Sequence, residues 1–269
     1  MLEFIDTHAH LTDDKFTNII ETKKHWEENN ISNVFAVAYN LETSERSVEI
    51  ANSYDTVYAI IGIHPDELQD YTDSCLNRLR ELATDPKVLA IGEIGLDYHF
   101  IDKDDIESRS KQKELFVAQI KLADELHLPI MIHVRDAIGD LITTLQENKQ
   151  YINNGGVVHC FSESVESYEI LSKLGLSIGV GGVVTFKNGK KLQEVVKNCK
   201  LEDIILETDC PYLAPDPYRG TVNSPANIPL IAEKVCELRD ITMAELSEIT
   251  YNNICRIFPK FNPLARGNE

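Results

Sequence analysis

Val88-Leu89-Ala90-Ile91, an amphipathic stretch over residues 107–126, and Ile130-Met131-Ile132 spell one strand–helix–strand unit. The two outer runs are short and apolar at adjacent positions, the pattern of a parallel strand covered on both faces. Between them Phe116, Ile120, Ala123 and Leu126 recur at i, i+4, i+7 and i+10, which puts them on one face of a helix. The unit repeats in both directions. Further runs are Phe4-Ile5, Val34-Phe35-Ala36-Val37-Ala38, Val57-Tyr58-Ala59-Ile60-Ile61, Val157-Val158, Ile178-Gly179-Val180 and Ile204-Ile205-Leu206, which makes eight candidate strands. Helix-like segments cover residues 15–29, 43–53, 74–83, 136–149, 165–174, 190–198 and 225–239. Strands alternating with helices imply right-handed crossovers, and eight such units predict an α/β fold, a closed (β/α)8 TIM barrel. A last helix near residues 243–258 is expected outside the barrel, and the tail over 259–269, with its Pro, Gly and Asn, reads as frayed. Residues 1–258 are thus expected to form one domain.

The 269 residues, 43% of them hydrophobic, suffice for one large core and exclude a disordered chain. No run approaches 18 apolar residues, so no membrane span is predicted. The start Met1-Leu2-Glu3-Phe4 lacks the basic region of a secretory signal, and a cytoplasmic protein is expected. The balance of 26 Lys+Arg against 44 Asp+Glu, a net charge of −18, argues against a surface that coats nucleic acid. It leaves room for an enzyme that holds a strand in one cleft. Six scattered cysteines with no C-x-x-C pair read as free thiols in a reducing compartment.

Five of the eight histidines fall at the C-terminal ends of predicted strands: His8 and His10 on the first, His64 on the third, His133 on the fifth and His159 on the sixth. Glu93 and Asp209 occupy the same level on strands four and eight. In a barrel those ends form the rim where active sites are built. His8 and His10, two apart on a strand, point to the same side and can share a divalent ion. Glu93 follows a buried strand between glycines, where a carboxylate can bridge two cations; the alternative is an ion pair with a barrel Lys or Arg. His133 and His159 each end an apolar run, as ligands or as hydrogen-bonded core residues. Asp209 suits both a ligand and a general base, or else an N-cap; Glu207, two residues earlier, is expected to support the ligands from deeper in the barrel.

Taken in order, these motifs resemble the TatD family of metal-dependent deoxyribonucleases, within the amidohydrolase-like barrels. The matching pieces are Asp6-Thr7-His8-Ala9-His10-Leu11, Gly62-Ile63-His64-Pro65, Gly92-Glu93-Ile94-Gly95-Leu96-Asp97-Tyr98 and Ile132-His133-Val134-Arg135-Asp136-Ala137. His159-Cys160-Phe161-Ser162 and Glu207-Thr208-Asp209-Cys210-Pro211-Tyr212-Leu213-Ala214-Pro215 complete the set, which spans the chain up to Phe258. The resemblance implies one or two divalent metal ions, Mg2+, Mn2+ or Zn2+. It implies that His8, His10, Glu93 and Asp209 hold the first, and Glu93, His133 and His159 the second. It also implies that His64, Arg135 and Arg219 face the substrate phosphate. Two departures stand out. Thr221-Val222-Asn223-Ser224-Pro225 lacks the basic pair and the glutamate that usually precede this proline in the family, and Ser162-Glu163 stands where Ser-Gly is common.

The expected activity is hydrolysis of phosphodiester bonds, most directly in single-stranded DNA ends, by water activated at the metal centre. Asp209 and Glu93 would serve the water and the ions, and His64 with Arg135 the developing charge. Arg135 could instead pair with Asp136 or Glu163. Two rivals are a metal-dependent ester or amide hydrolase, such as a deacylase of D-aminoacyl-tRNA, and a scaffold without catalysis. The oligomeric state is left open by the residues, with a monomer as the expectation.

Overall fold

The computed structural model describes residues 3–16 and 18–263. Its eight strands are β1 (Phe4–Ala9), β2 (Ile31–Val37), β3 (Val57–Ile61), β4 (Val88–Asp97), β5 (Ile130–Arg135), β6 (Gly156–Val158), β7 (Leu176–Val180) and β8 (Ile204–Leu206). All pair in parallel, in chain order. The helices between them are α1 (Ile19–Glu28), α2 (Leu41–Ser53), α3 (Asp73–Leu82), α4 (Ile106–Glu125), α5 (Ile138–Glu147), α6 (Val165–Lys173) and α7 (Lys190–Asn198). After β8 come α8 (Ile228–Arg239) and α9 (Met243–Ile257). This is the expected (β/α)8 barrel. No helix among the described residues is long and apolar enough to cross a membrane.

The strands alternate between two cores, which explains their apolar residues at adjacent positions. Ile5, Phe35, Val37, Tyr58, Ile60, Leu89, Met131, Val157 and Ile205 fill the barrel, while Val34, Ala36, Val57, Ile61, Val88 and Ile204 pack outward with the helices. The last helix departs from expectation. Ile254 and Ile257 of α9, with Phe258 and Phe261 beyond it, belong to the inner core, so α9 covers one end of the barrel rather than its flank. Phe258 and Phe261 meet Phe35 edge-on at 5.3 and 5.4 Å, and the Tyr58 hydroxyl donates to the Asn262 carbonyl at 2.7 Å. Burying such side chains is worth roughly 1.5–3 kcal/mol each. Residues 259–263 are therefore packed, not frayed; the rest of the expected tail, 264–269, lies outside the described residues.

The regular ladder runs from β1 to β8, and the seam between β8 and β1 is closed by other means. Ala9 and Cys210 form one isolated parallel bridge, and Thr7 Oγ1 donates to the Leu206 carbonyl at 2.9 Å. Across the same seam the Asp6 carboxylate accepts from Thr208 N at 2.9 Å and Thr208 Oγ1 at 2.5 Å. Asp6 is fully buried, and that desolvation pushes its carboxyl up to about 7 against the pull of these hydrogen bonds. Backbone bonds from the Asp209 amide to the His8 carbonyl at 2.9 Å and from the His10 amide to the Cys210 carbonyl at 2.8 Å complete the seam, so the Asp6 carboxylate supplements a short ladder beside the site.

Candidate metal centre

The rim residues converge as the strand order requires. His8 is the penultimate residue of β1, with His10 just past its end, and both face the axis beside Glu93 of β4. β4 extends past Glu93 to Asp97, farther than its apolar run suggests. Gly95 permits this: its φ is +152°, and a Cβ there would lie 1.9 Å from the His133 carbonyl oxygen. Only glycine lets β4 hug β5 so closely. Asp209 sits just beyond β8 at φ +58°, a left-handed conformation that asparagine and aspartate tolerate better than most residues. Asp136 does the same after β5 at φ +54°, which delays α5 to Ile138 rather than the predicted residue 136.

The two oxygens of Glu93 face two different groups. Oε2 lies 3.5 Å from His8 Nε2 and 3.6 Å from His10 Nε2. Asp209 Oδ1 completes that group, 3.8 and 3.3 Å from the same two nitrogens. Oε1 lies 2.7 Å from both His133 Nδ1 and His159 Nε2, which are 3.1 Å apart. Ligand bonds of about 2.0–2.2 Å in a tetrahedral shell put donor atoms roughly 3.3–3.6 Å apart. The first group already has that spacing, and the second is slightly tighter.

Two further features fit a cation. Both ring nitrogens of His8 are buried without a hydrogen-bond partner, an arrangement that costs stability unless something else satisfies them. His10 and His133 are anchored through the nitrogen that faces away: His10 Nδ1 lies 3.1 Å from the Val37 carbonyl, and His133 Nε2 3.0 Å from Asp97 Oδ2. Such anchoring fixes the ring and leaves the opposite nitrogen for a metal. The mixed imidazole and carboxylate donors suit Zn2+ or Mn2+ at least as well as Mg2+.

The electrostatics are those of carboxylates wrapped in imidazoles. Burial alone would raise Glu93, yet His159, His133 and His8 hold it well below the usual carboxylate range. Desolvation drags His8 down to about 4. The same desolvation acts on His10 and His133, but ion pairing outweighs it: Asp209 and Glu93 lift His10 to about 9, and Asp97 and Glu93 lift His133 to about 10. His64 is lowered to about 3 by burial, against the opposing charge of Glu93, so it is a neutral imidazole. Its Nδ1 accepts from the Asp66 amide at 3.1 Å, which leaves the proton on Nε2, 3.7 Å from Glu93 Oε1.

His10, His64, Glu93, His133, His159, Asp209 and Arg135 line one cavity of about 450 Å3. Glu93 pairs with histidines rather than with the Lys or Arg that was the alternative, and Asp209 turns its carboxylate to His8 and His10 rather than capping a helix. Glu207 lies fully buried beneath, accepting from the Cys160 amide and 3.8 Å from His159 Nδ1. Asp136 and Glu163, offered as partners of Arg135, pair instead with His99 and Lys191. Arg219 is not brought to the cavity lining: its guanidinium lies 4.2 Å over the Phe186 ring and donates to Asn188. All six cysteines are free thiols. Asp97, Tyr39, Asp66, Glu67 and Tyr212 also line the cavity, although the sequence reading gave them no role. Asp97 lies four residues after Glu93 on β4, a relation that shows only once β4 is seen to run on to Asp97.

Residues 5–259 match the family described as TatD related DNase. The chain belongs to the TatD family. A metal-dependent hydrolase of Bacillus subtilis, YabD, is 40% identical over 254 residues, covering 94% of this chain and 98% of the relative. The crystal structure of YjjV, a TatD homologue from Escherichia coli K12, superposes with a TM-score of 0.88 at 31% identity, covering 96% and 98% of the two chains. A TatD family hydrolase from Entamoeba histolytica gives a TM-score of 0.82 at 27% identity, covering 96% and 99%. This TatD-family chain is accordingly a metal-dependent hydrolase, with clusters of His, Glu and Asp able to hold divalent ions.

Proposed function

We propose that this protein hydrolyses phosphodiester bonds of DNA, with His8, His10, Glu93 and Asp209 holding one ion and Glu93, His133 and His159 a second. The observation that carries the reading is Glu93, whose two oxygens each face a separate group of donors beneath an open cavity. Two such ions would supply positive charge for a phosphoryl oxygen and acidify a water. Asp209, ionised and beside His10, is placed to take the proton of the attacking water. The neutral His64 offers its Nε2–H to a phosphate oxygen, and Arg135 at the cavity wall offers fixed positive charge to the transition state. The family's description as DNase related supports DNA as the substrate.

The decisive experiment is a digestion time course on end-labelled single- and double-stranded DNA, with chelator and with Mg2+, Mn2+ or Zn2+ restored. Metal-dependent release of nucleotides is expected. Full activity after chelation, or in the His8→Ala/His10→Ala variant, would sink the metal mechanism. A second reading has its own observation: Asp66 and Glu67 give the cavity an acidic wall, which suits a substrate carrying an ammonium group. Removal of an amino acid from aminoacyl-tRNA is of that kind. Parallel assays on aminoacyl-tRNA and small esters separate the two.

A further inference from the structure

Two aromatic rings at the mouth of the barrel each carry a cation, and they stand on opposite sides of the metal centre. Strands four apart in an eight-stranded ring face one another, so the segments after β4 and β5 oppose those after β8 and β1. On the first side Phe100 is 81% exposed, with the Arg135 guanidinium 5.5 Å from its ring centroid. His99 meets the edge of that ring at 4.6 Å and is itself tied to Asp136 at 2.8 Å. On the second side Tyr212 is 47% exposed, with Lys15 Nζ 4.6 Å from its centroid. Its hydroxyl donates to Asp13 at 2.9 Å, and its ring stands 6.0 Å from that of His10. Arg135 and Tyr212 both line the cavity that holds Glu93.

A phenylalanine so exposed contributes little to the barrel's stability, whereas a ring held at the rim beside a cation is a surface on which a base can stack. We infer that Phe100 and Tyr212 are stacking platforms for the nucleobases on either side of the scissile phosphate, with Arg135 beside Phe100 meeting the scissile phosphate and Lys15 beside Tyr212 an adjoining phosphate of a single strand. This rests on the nuclease reading and specifies what that reading demands of the substrate: the bases must be unpaired, because a duplex hides their faces. The charge balance points the same way. With 44 acidic against 26 basic residues the chain offers no long-range attraction for a polyanion, so short-range stacking has to supply the affinity. Two phosphate contacts predict a salt slope of only about −1.4, at about −0.7 per contact for single strands.

The test compares kcat/KM of the manganese-loaded protein and its Phe100→Leu, Phe100→Trp and Tyr212→Leu variants on a short single strand. The same strand with abasic sites flanking the cleaved bond is run beside it. Phe100→Leu and Tyr212→Leu are each expected to lose at least about fivefold on the normal strand, the low end for loss of a base–aromatic stack. Phe100→Trp is expected to retain activity, and the losses should shrink below about twofold on the abasic strand. Equal losses on both strands, or none, would overturn the inference. If the wild-type protein cleaves no DNA, the nuclease reading falls, and fluorescence of 2-aminopurine in the uncleaved strand decides the platforms separately. Quenching by the wild type that is lost in both Leu variants sustains them; no quenching overturns them.

Discussion

Asp97→Asn tests whether the two groups of donors around Glu93 act as distinct metal sites. Asp97 is buried, its Oδ2 lies 3.0 Å from His133 Nε2, and its Oδ1 accepts from the His99 amide at 2.8 Å. Asparagine keeps the shape but has one acceptor oxygen for two donors. If it serves His99, its NH2 confronts the His133 N–H. The ring then loses the bond that fixes its tautomer and aims Nδ1 at Glu93. A hydrogen bond to a charged group is worth about 1.5–3 kcal/mol. At about 1.4 kcal/mol per tenfold that weakens the ion held by His133 and His159 by about 10- to 100-fold, the range expected for losing such a partner. The ion held by His8, His10 and Asp209 should change by less than about twofold, since the Asp97 carboxylate is bonded to His133 and His99 and not to any of these three. Competition with a chromophoric chelator, with Zn2+ or Mn2+ counted by elemental analysis, reads both affinities. Two unchanged constants, or two that fall by the same factor, would refute the reasoning.

Three other perturbations follow from single contacts. Burial pushes Glu207 from 4.5 up to about 8, so the folded protein holds a proton that the unfolded chain releases above about pH 4.5. The stability of the chelator-treated protein should therefore fall as pH rises from about 4.5 to 8; Glu207→Gln should flatten that slope, and parallel urea-unfolding curves would count against it. A Cβ on Gly179 would lie 2.1 Å from Glu207 Oε2, so Gly179→Ala should cost about 1–3 kcal/mol. The cost should shrink in a Glu207→Ala background, and thermal unfolding that shows no such recovery would contradict the clash. Asn223, fully buried, donates to the Thr208 and Tyr212 carbonyls at 2.9 and 2.7 Å and so ties down the segment that carries Asp209. Asn223→Ala should destabilise by on the order of 3 kcal/mol and loosen metal binding, and a variant with wild-type denaturation and metal content would refute this.

The strands were legible because each is buried on two faces, so Val34-Phe35-Ala36-Val37 needs no partner to be recognised. β4 was not legible beyond Ile91, because Gly92, Glu93, Gly95 and Asp97 look like a turn until the close approach to β5 is known. That missing length hid Asp97. α1 begins at Ile19 and not at the expected residue 15, because residues 13–15 form a turn in which Asp13 accepts from the Lys15 amide, and Asn18 caps the helix. Arg219 was placed at the substrate by resemblance. In three dimensions it stacks on Phe186, a partner 33 positions away in the chain that local spacing cannot reveal. Ser224, standing where the family usually has glutamate, caps the turn at Pro225–Asn227 through the Ala226 amide.

The sequence by itself determined the barrel and the metal-seeking residues. Burial on two faces dictates apolar runs, and histidines at strand ends have only one rim to occupy. Only the tertiary structure decided how those residues share their work. Glu93 serves two groups because strands distant in the chain bring His8 and His133 to its opposite oxygens. Asp6 supplements the backbone bonds between β1 and the segment after β8, because β8 ends at Leu206 and leaves that seam without a full ladder. Phe100 and Tyr212 follow β4 and β8, which ring closure sets on opposite sides of the barrel, a relation that no local pattern encodes.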